Sequence, residues 1–184
     1  GAVRDSLLGL PFHERDWVVV GATKEELTDK GYKQIGKDFP VFLHPETKEE
    51  YALARKERKT GAGHKAFSFE FDKNVSLEED LERRDITINA IAQDDEGNFI
   101  DPYNGCKDIE DKIIRKVSKA FKEDPLRVLR VARFSAKLKK LGFTIEEGTK
   151  KEIIDIVNSG ELKTLSKERI WMETHKALET DNPE

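Results

Sequence analysis

Cysteine is almost absent from this chain, because Cys106 is the only one among 184 residues. An internal disulfide is therefore excluded, and we expect a reducing compartment. The sequence also lacks an apolar run of membrane-spanning length and a charged-then-apolar leader. Together these absences predict a soluble, cytoplasmic protein without a membrane partner.

An excess of positive charge is also missing, since 33 Lys and Arg residues face 37 Asp and Glu residues for a net charge of -4. Any contact with nucleic acid must then come from local basic clusters. Metal-ligand spacing is absent among the four histidines and Cys106, so we assign the histidines no chemistry. They are His13, His44, His64 and His175.

The spacing of apolar residues along the sequence changes near residue 115. Before it, short β-rich runs alternate with short helical patterns, and beyond Ser118 we expect only helices. We predict strands at 16–21, 32–35, 41–43, 50–54, 67–71, 91–93 and 99–100, and later helices at 120–141, 146–158 and 166–179. The expected fold is α+β, with a head at 1–115 and an all-helical neck at 116–184. Within the head, we expect the basic stretch 58–65 to form a mobile loop.

Three arginines dominate the helix that follows Asp124. Arg127, Arg130 and Arg133 are spaced three apart, and every other residue up to Phe134 is apolar or proline. An arginine set among apolar residues is costly unless an anion pairs with it. Two interpretations remain open: a nucleotide or phosphate site, or ordinary pairing with nearby carboxylates.

Two carboxylates, Glu14 and Asp16, stand at the entrance to the first predicted strand. Residues two apart on a strand share a face, so both can reach one cation. Mg²⁺ prefers such oxygen ligands together with substrate phosphates. Acidic pairs on a protein surface are nevertheless common, and taken alone this pair is weak evidence.

Polar residues also cluster at two other places. Gly1 and Arg4 open a short helix, where backbone N–H groups and a guanidinium suit phosphate, although taken alone a simple loop is the better explanation. Arg84, Asp85 and Asn89 lie among apolar residues. They suit either a ribose or triphosphate site, or a structural capping network.

In this order the motifs resemble those of bacterial class II tRNA nucleotidyltransferases, the CCA-adding enzymes of the polymerase-β-like superfamily. The resemblance rests on Gly1-Ala-Val-Arg-Asp5, Glu14-x-Asp16, Arg83-Arg-Asp-x-Thr-Ile-Asn-Ala90 and Glu123-Asp-x-x-Arg-x-x-Arg130, supported by residues 36–44 and 101–105. It implies a polymerase-β-like head with a mixed sheet flanked by helices. The implied activity is addition of CCA to the tRNA 3′ end from CTP and ATP, with release of pyrophosphate.

The resemblance also implies roles for individual residues. Glu14 and Asp16 would be catalytic and hold Mg²⁺. The residues implied to contact the incoming nucleotide are Gly1, Arg4, Arg84, Asp85, Asp124, Arg127, Arg130 and Arg133. Among these, Asp124 and Arg127 would select the base, and the loop at 58–65 would take part in the change from CTP to ATP.

The chain departs from the family pattern in two respects. Family members usually carry Asp-x-Asp where this chain has Glu14-x-Asp16, and a longer side chain displaces its carboxylate in a tight Mg²⁺ shell. They also begin with a strand and continue into domains that hold tRNA. We therefore expect a head-and-neck fragment with weak tRNA binding. The alternatives are a poly(A) polymerase or A-adding relative, a non-catalytic nucleotide-binding fragment, and a helical interaction protein.

Overall fold

The computed structural model describes residues 1–35, 41–59, 67–70 and 73–180. For residues 57–59 and 67–70 it describes the backbone only. These residues divide into two compact units, which we describe separately. The first unit is Gly1–Arg58 with Ser68–Leu81, and the second is Lys59–Phe67 with Glu82–Glu184, each as far as it is described. Within the described ranges, no helix is long and apolar enough to cross a membrane.

The first unit is built from short helices and short strands. In chain order it contains α1 (Ala2–Leu7), β1 (Asp16–Val19), α2 (Lys24–Asp29), β2 (Lys33–Ile35), β3 (Val41–Leu43), β4 (Glu50–Leu53), β5 (Lys56–Lys59), β6 (Phe67–Glu70) and α3 (Leu77–Glu82). A four-stranded sheet has the order β1-β4-β3-β2, and β5 pairs with β6. Only the β1–β4 pair of the larger sheet is parallel, so the sheet is mixed as predicted.

The small core of the first unit lies between α2 and this sheet. Leu27 of α2 packs with Phe42 of β3 and Leu53 of β4, all three nearly inaccessible to solvent. The position of α2 is fixed by a capping box, in which Glu26 N donates to Thr23 Oγ1 and Thr23 N donates to Glu26 Oε2. A threonine followed three residues later by glutamate is the usual sequence signature of such a capping box.

The second unit is mainly helical. It contains β7 (Ala92–Gln93), β8 (Phe99–Ile100), α4 (Gly105–Glu110), β9 (Ile113–Ile114), α5 (Leu126–Leu138), β10 (Thr144–Ile145), α6 (Glu147–Ser159) and α7 (Lys167–Leu178). Strands β7 and β8 form an antiparallel pair, and β9 and β10 a parallel one. Its buried side chains include Phe121, Val131 and Leu138.

The structure differs from the sequence-based prediction beyond Ser118. The predicted helix 120–141 is divided into a 3-10 segment Lys119–Glu123, α5, and a second 3-10 segment Lys139–Leu141. Pro125 causes the first break, because proline disfavours helical backbone in the residue before it, and Asp124 is extended. The region is also not wholly helical, because β10 pairs with β9.

Two further predictions concern the region near the basic stretch. The predicted loop 58–65 starts inside β5, which continues to Lys59, and residues 60–66 lie outside the described ranges. The predicted strand 67–71 is present as β6, whereas Phe71 is outside those ranges. Helix α4 was absent from the prediction, since its six residues are too short for a helical period to stand out.

Gly105, at the start of α4, gives a test of packing in the second unit. A Cβ atom there would lie 2.3 Å from the carbonyl oxygen of Thr87 and 2.6 Å from Ile91 Cγ1. We expect Gly105→Ala to lower the free energy of unfolding by about 3 kcal/mol, because backbone must move to admit the methyl group. Chemical denaturation followed by circular dichroism measures this loss.

The matched control is Gly9→Ala. Gly9 has open space around it but a φ of +67°. Replacement of Gly9 by alanine should lower the free energy of unfolding by about 1 kcal/mol, because of backbone strain alone. Equal stability of Gly105→Ala and the unaltered chain would contradict the packing argument.

Candidate metal-binding and nucleotide-binding sites

The two predicted metal ligands lie in the first unit at the start of β1. Asp16 is the first residue of β1, and Glu14 lies two residues earlier, before the strand begins. Both residues are exposed. The structure thus places Asp16 in the strand and Glu14 just before it, and convergence of the two carboxylates on one cation stays a prediction.

Gly1 lies beside the Asp16 carboxylate. A Cβ atom built on Gly1 would be 3.5 Å from Asp16 Oδ2, so the backbone at the start of α1 approaches this carboxylate closely. Of the four residues predicted for this part of the site, the structure thus brings Gly1 and Asp16 together. A side chain at position 1 would occupy space directly next to a candidate metal ligand.

Arg4 has a partner inside α1. Its Nε donates to Asp5 Oδ1 at 2.8 Å, and its Nη2 lies 2.7 Å from the same oxygen. Both residues are buried. Asp5 was not singled out from the sequence, although buried arginines generally need such an anion.

Asp85, in the second unit, is a buried acceptor with three donors. It accepts hydrogen bonds from Ile86 N at 2.9 Å, Asn89 Nδ2 at 3.0 Å and Arg130 Nε at 2.7 Å. Burial by itself raises the pKa of Asp85, but the charge of Arg130 and these hydrogen bonds bring it below its ordinary value. The capping network considered for Asp85 and Asn89 is thus present.

Arg130 and Arg133 of α5 both reach Glu173 of α7. Arg133 Nε donates to Glu173 Oε2 at 2.6 Å, and Arg130 Nη1 lies 3.6 Å from Glu173 Oε1. Burial lowers the pKa of Arg130, but Asp85 and Glu173 raise it above its ordinary value, so it stays charged. The interpretation that the arginines pair with internal carboxylates is confirmed for these two.

Arg127 is held by backbone carbonyls. Its side chain is buried, with 6% of the residue exposed, and Nη1 donates to the oxygen of Ala120 at 2.7 Å. Nη2 donates to the oxygen of Arg83 at 2.5 Å. The two terminal nitrogens of the Arg127 guanidinium therefore have fixed directions, because they bind backbone carbonyl groups that precede α5 in the chain.

Asp124 links the start of α5 to α7. Asp124 Oδ1 accepts a hydrogen bond from Leu126 N at 3.1 Å, which satisfies one of the free N–H groups of the first helical turn. Asp124 Oδ2 accepts a hydrogen bond from Arg169 Nη2 at 2.7 Å. Both oxygens of the predicted base-selecting carboxylate therefore have fixed directions.

Two residues of α7 on which this arrangement depends, Arg169 and Glu173, are not among the predicted site residues. They are four apart in a helix that the sequence does predict, and they belong on one helix face. Glu173 could have been predicted from this spacing together with the need of the α5 arginines for anions. Arg84 is half-buried next to Asp85, and its contact with nucleotide stays a prediction.

No group of three or more His, Cys, Asp or Glu residues suited to a metal occurs in the described part of the chain. Glu14 and Asp16 offer oxygen donors only, which fits Mg²⁺ completed by substrate phosphates. Cys106 does not provide a reactive thiolate. Burial and Asp101 raise the pKa of its thiol to about 11, so the thiol is protonated at neutral pH.

Comparison with known proteins gives consistent matches over the whole chain. Residues 1–115 match a family model described as the poly A polymerase head domain, and residues 142–184 match one described as a probable RNA and SrmB-binding site of polymerase A. A "Multifunctional CCA protein" of Vibrio campbellii is 61% identical over 184 residues, which are 100% of this chain and 45% of that protein.

Solved structures agree with these matches. The Bacillus stearothermophilus CCA-adding enzyme in complex with CTP has a TM-score of 0.75 and 36% identity, over 96% of this chain and 42% of that one. The Thermotoga maritima CCA-adding enzyme complexed with tRNA has a TM-score of 0.75 and 27% identity, over 100% of this chain and 42% of that one. The chain thus spans less than half the length of these relatives.

The Asp85–Arg130 pair predicts how stability depends on pH. Because folding lowers the pKa of Asp85, its carboxylate stabilises the protein above the ordinary value of about 3.9, and this is lost as pH falls through the folded-state value. We expect Asp85→Asn to lower the free energy of unfolding by about 2 kcal/mol at pH 7 and by much less near pH 2. Denaturant titration at the two pH values measures this difference.

The exposed Asp155 provides a control, since Asp155→Asn should cost little at either pH. A loss for Asp85→Asn that is equally large at both pH values would show that shape, and not charge, is responsible.

Proposed function

The chain belongs to the poly A polymerase head-domain family, and from this we propose that it is the nucleotide-selecting and catalytic part of a CCA-adding tRNA nucleotidyltransferase. Its substrates are CTP, ATP and the 3′ end of tRNA, and its reaction releases pyrophosphate. The observation that carries the proposal is that Asp124 and Arg127, one helical turn apart, each have side-chain directions fixed by hydrogen bonds to other partners. A nucleotidyltransferase head at 1–115, a neck at 116–184 and a cytoplasmic location remain predictions from the sequence.

Asp124 and Arg127 suit the recognition of a base edge. A carboxylate oxygen accepts from an exocyclic amino group, and a guanidinium donates to a ring nitrogen or carbonyl oxygen. Cytosine and adenine both carry an amino group, whereas uracil and guanine place a carbonyl oxygen at the corresponding position. One acceptor with one donor therefore accounts for selecting CTP and ATP over UTP and GTP.

The remaining predicted residues have separate roles. In the first unit, Gly1 and Arg4 contact phosphates. In the second unit, Arg84 and Asp85 belong to the ribose and phosphate contacts, and Asp85 also holds Arg130 in place. Arg133 completes this cationic end of the site. Arg130 and Arg133 are already oriented by carboxylates and therefore lose little conformational freedom when the substrate binds.

Glu14 and Asp16 would hold Mg²⁺. The bound ion supplies charge neutralisation at the α-phosphate and lowers the pKa of the attacking 3′-hydroxyl. Their exposure leaves them accessible to an ion and to substrate oxygens. Gly1, beside Asp16, places no side chain in this space.

The direct test of the reaction is extension of a tRNA that lacks its CCA end, with Mg²⁺ and either CTP or ATP. The chain is assayed alone and after extension by the additional polypeptide of the Vibrio campbellii relative. Two C residues followed by one A support the proposal. Incorporation of A alone, or of a long A tail, would favour the A-adding or poly(A) alternative. No extension despite nucleotide binding would favour a non-catalytic fragment.

Asp16→Asn should lower extension at least a thousandfold, because a lost metal ligand removes several kcal/mol of transition-state stabilisation. Its thermal unfolding should stay unchanged, since Asp16 is exposed. Glu14→Asp is the companion variant and should raise the rate, because it restores the shorter side chain usual in the family. An active Asp16→Asn would contradict the assignment of the metal ligands.

Arg169→Met tests the base-selecting pair without touching substrate. Without its hydrogen bond from Arg169, Asp124 Oδ2 loses its fixed direction. We expect the preference for CTP and ATP over UTP and GTP to fall about tenfold, a change of about 1.4 kcal/mol. The measurement is kcat/KM for each triphosphate.

Arg169→Lys is the matched variant, because it keeps a donor and should retain part of the preference. A uniform loss of rate with unchanged base preference would mean that Arg169 has a structural role only.

A further inference from the structure

The stretch of chain between Asp124 and Glu146 is strongly basic. It contains six lysine and arginine residues and no Asp or Glu, in a chain whose net charge is -4. Its three arginines bind carboxylates or backbone carbonyls of the protein. Its three lysines, Lys137, Lys139 and Lys140, lie at the end of α5 and in the 3-10 segment after it, and all three are exposed. The solvent-exposed positive charge of this stretch is therefore concentrated at the end of α5.

A fourth lysine, Lys112, reaches the same place from the turn between α4 and β9. A Cβ atom built on Gly142 would lie 3.4 Å from Lys112 Cδ and 3.7 Å from Lys112 Nζ. Gly142 ends the 3-10 segment, and its N donates to the carbonyl oxygen of Lys139 at 2.9 Å. The carbonyl oxygen of Lys112 accepts a hydrogen bond from Thr144 N at 2.9 Å, which holds the turn beside this segment. We call Lys112, Lys139 and Lys140 the lysine cluster.

The carboxylates that flank the lysine cluster along the chain are bound by other groups. Asp111 Oδ2 lies 2.9 Å from Lys107 Nζ. The hydrogen bond to Asp111 and the charge of Glu110 raise the pKa of Lys107 above its ordinary value. Glu146 Oε2 accepts hydrogen bonds from Thr149 N at 2.7 Å and from Thr149 Oγ1 at 2.8 Å. The positive charge of the cluster is therefore directed to solvent, where an external anion can bind it.

We propose that the lysine cluster binds the phosphate backbone of the tRNA whose 3′ end is extended at the nucleotide site. The inference rests on the proposed function, in which Asp124 and Arg127 bind the incoming base. Lys139 follows Arg127 by twelve residues, or about 18 Å along the helix axis. Phosphates of a stacked strand are about 3.4 Å apart, so about five nucleotides span this distance. An RNA with its 3′ end beside Arg127 therefore has phosphates within reach of the cluster.

Lysine suits a contact of this kind. Its ammonium group is a point charge on a flexible stem, which binds a phosphate without reading a base. Lysines near a helix C-terminus also interact favourably with the helix dipole, and this alone would account for Lys139 and Lys140. It does not account for Lys112, which belongs to a different element. An RNA contact accounts for all three, and in an acidic chain such a contact must come from a local cluster.

The test measures binding of a labelled tRNA that lacks its CCA end to the 184-residue chain, by fluorescence anisotropy at several salt concentrations. Lys112→Gln combined with Lys139→Gln should weaken binding about tenfold at low salt. The slope of log Kd against log salt concentration should fall by about two, because two phosphate contacts are lost. Lys112→Arg with Lys139→Arg should retain most of the affinity, since both charges remain. The matched control is Lys30→Gln with Lys33→Gln, two exposed lysines of the first unit, which should change neither quantity.

Titration of the same variants with CTP separates this inference from the proposed function. The variant with both cluster lysines replaced by glutamine should bind CTP as tightly as the unaltered chain does. Unchanged tRNA affinity and salt dependence in that variant would overturn the inference, as would a chain that binds CTP but no tRNA. Parallel loss of CTP and tRNA binding would also overturn it, because the lysines would then support the structure of α5. A chain that binds neither ligand would contradict the proposed function and this inference together.

Discussion

The second unit depends on the ion pairs between α5 and two carboxylates. Arg130 and Arg133 lie on a helix whose other residues are mostly apolar, and an arginine in such surroundings needs an anion. Asp85 and Glu173 supply the two anions, at 2.7 and 2.6 Å. Removing one partner would leave the other charged group partly buried without compensation, so the positions of α7 and the Asp85 segment are linked to that of α5.

These pairs also suit the nucleotide site that we propose on the same helix. An arginine that is already oriented by a carboxylate needs no further ordering when a phosphate arrives, and it keeps its charge because the neighbouring carboxylates raise its pKa. Arg127 and Asp124 follow the same pattern, with backbone carbonyls and Arg169 as their partners. Preorganisation of this kind is what selection of a base by side chains alone requires.

Local signals in the sequence were sufficient for much of the fold. The capping box at Thr23 and Glu26, the strands of the four-stranded sheet and the α5 arginines all follow from patterns within a few residues. The two-residue strand β10 and the six-residue α4 are too short to show a period. The partners of the arginines were missed for another reason: Arg133 and Glu173 are 40 residues apart, and only tertiary packing brings them together.

The central claim is that α5 contributes to a nucleotide site in addition to pairing with carboxylates. Calorimetric titration of the 184-residue chain with CTP, ATP, UTP and GTP in the presence of Mg²⁺ tests it most directly. Saturable binding of CTP and ATP, with at least tenfold weaker binding of UTP and GTP, is the predicted result. A folded chain that binds none of the four, or all four equally, would mean that the α5 arginines serve only to hold the helices together.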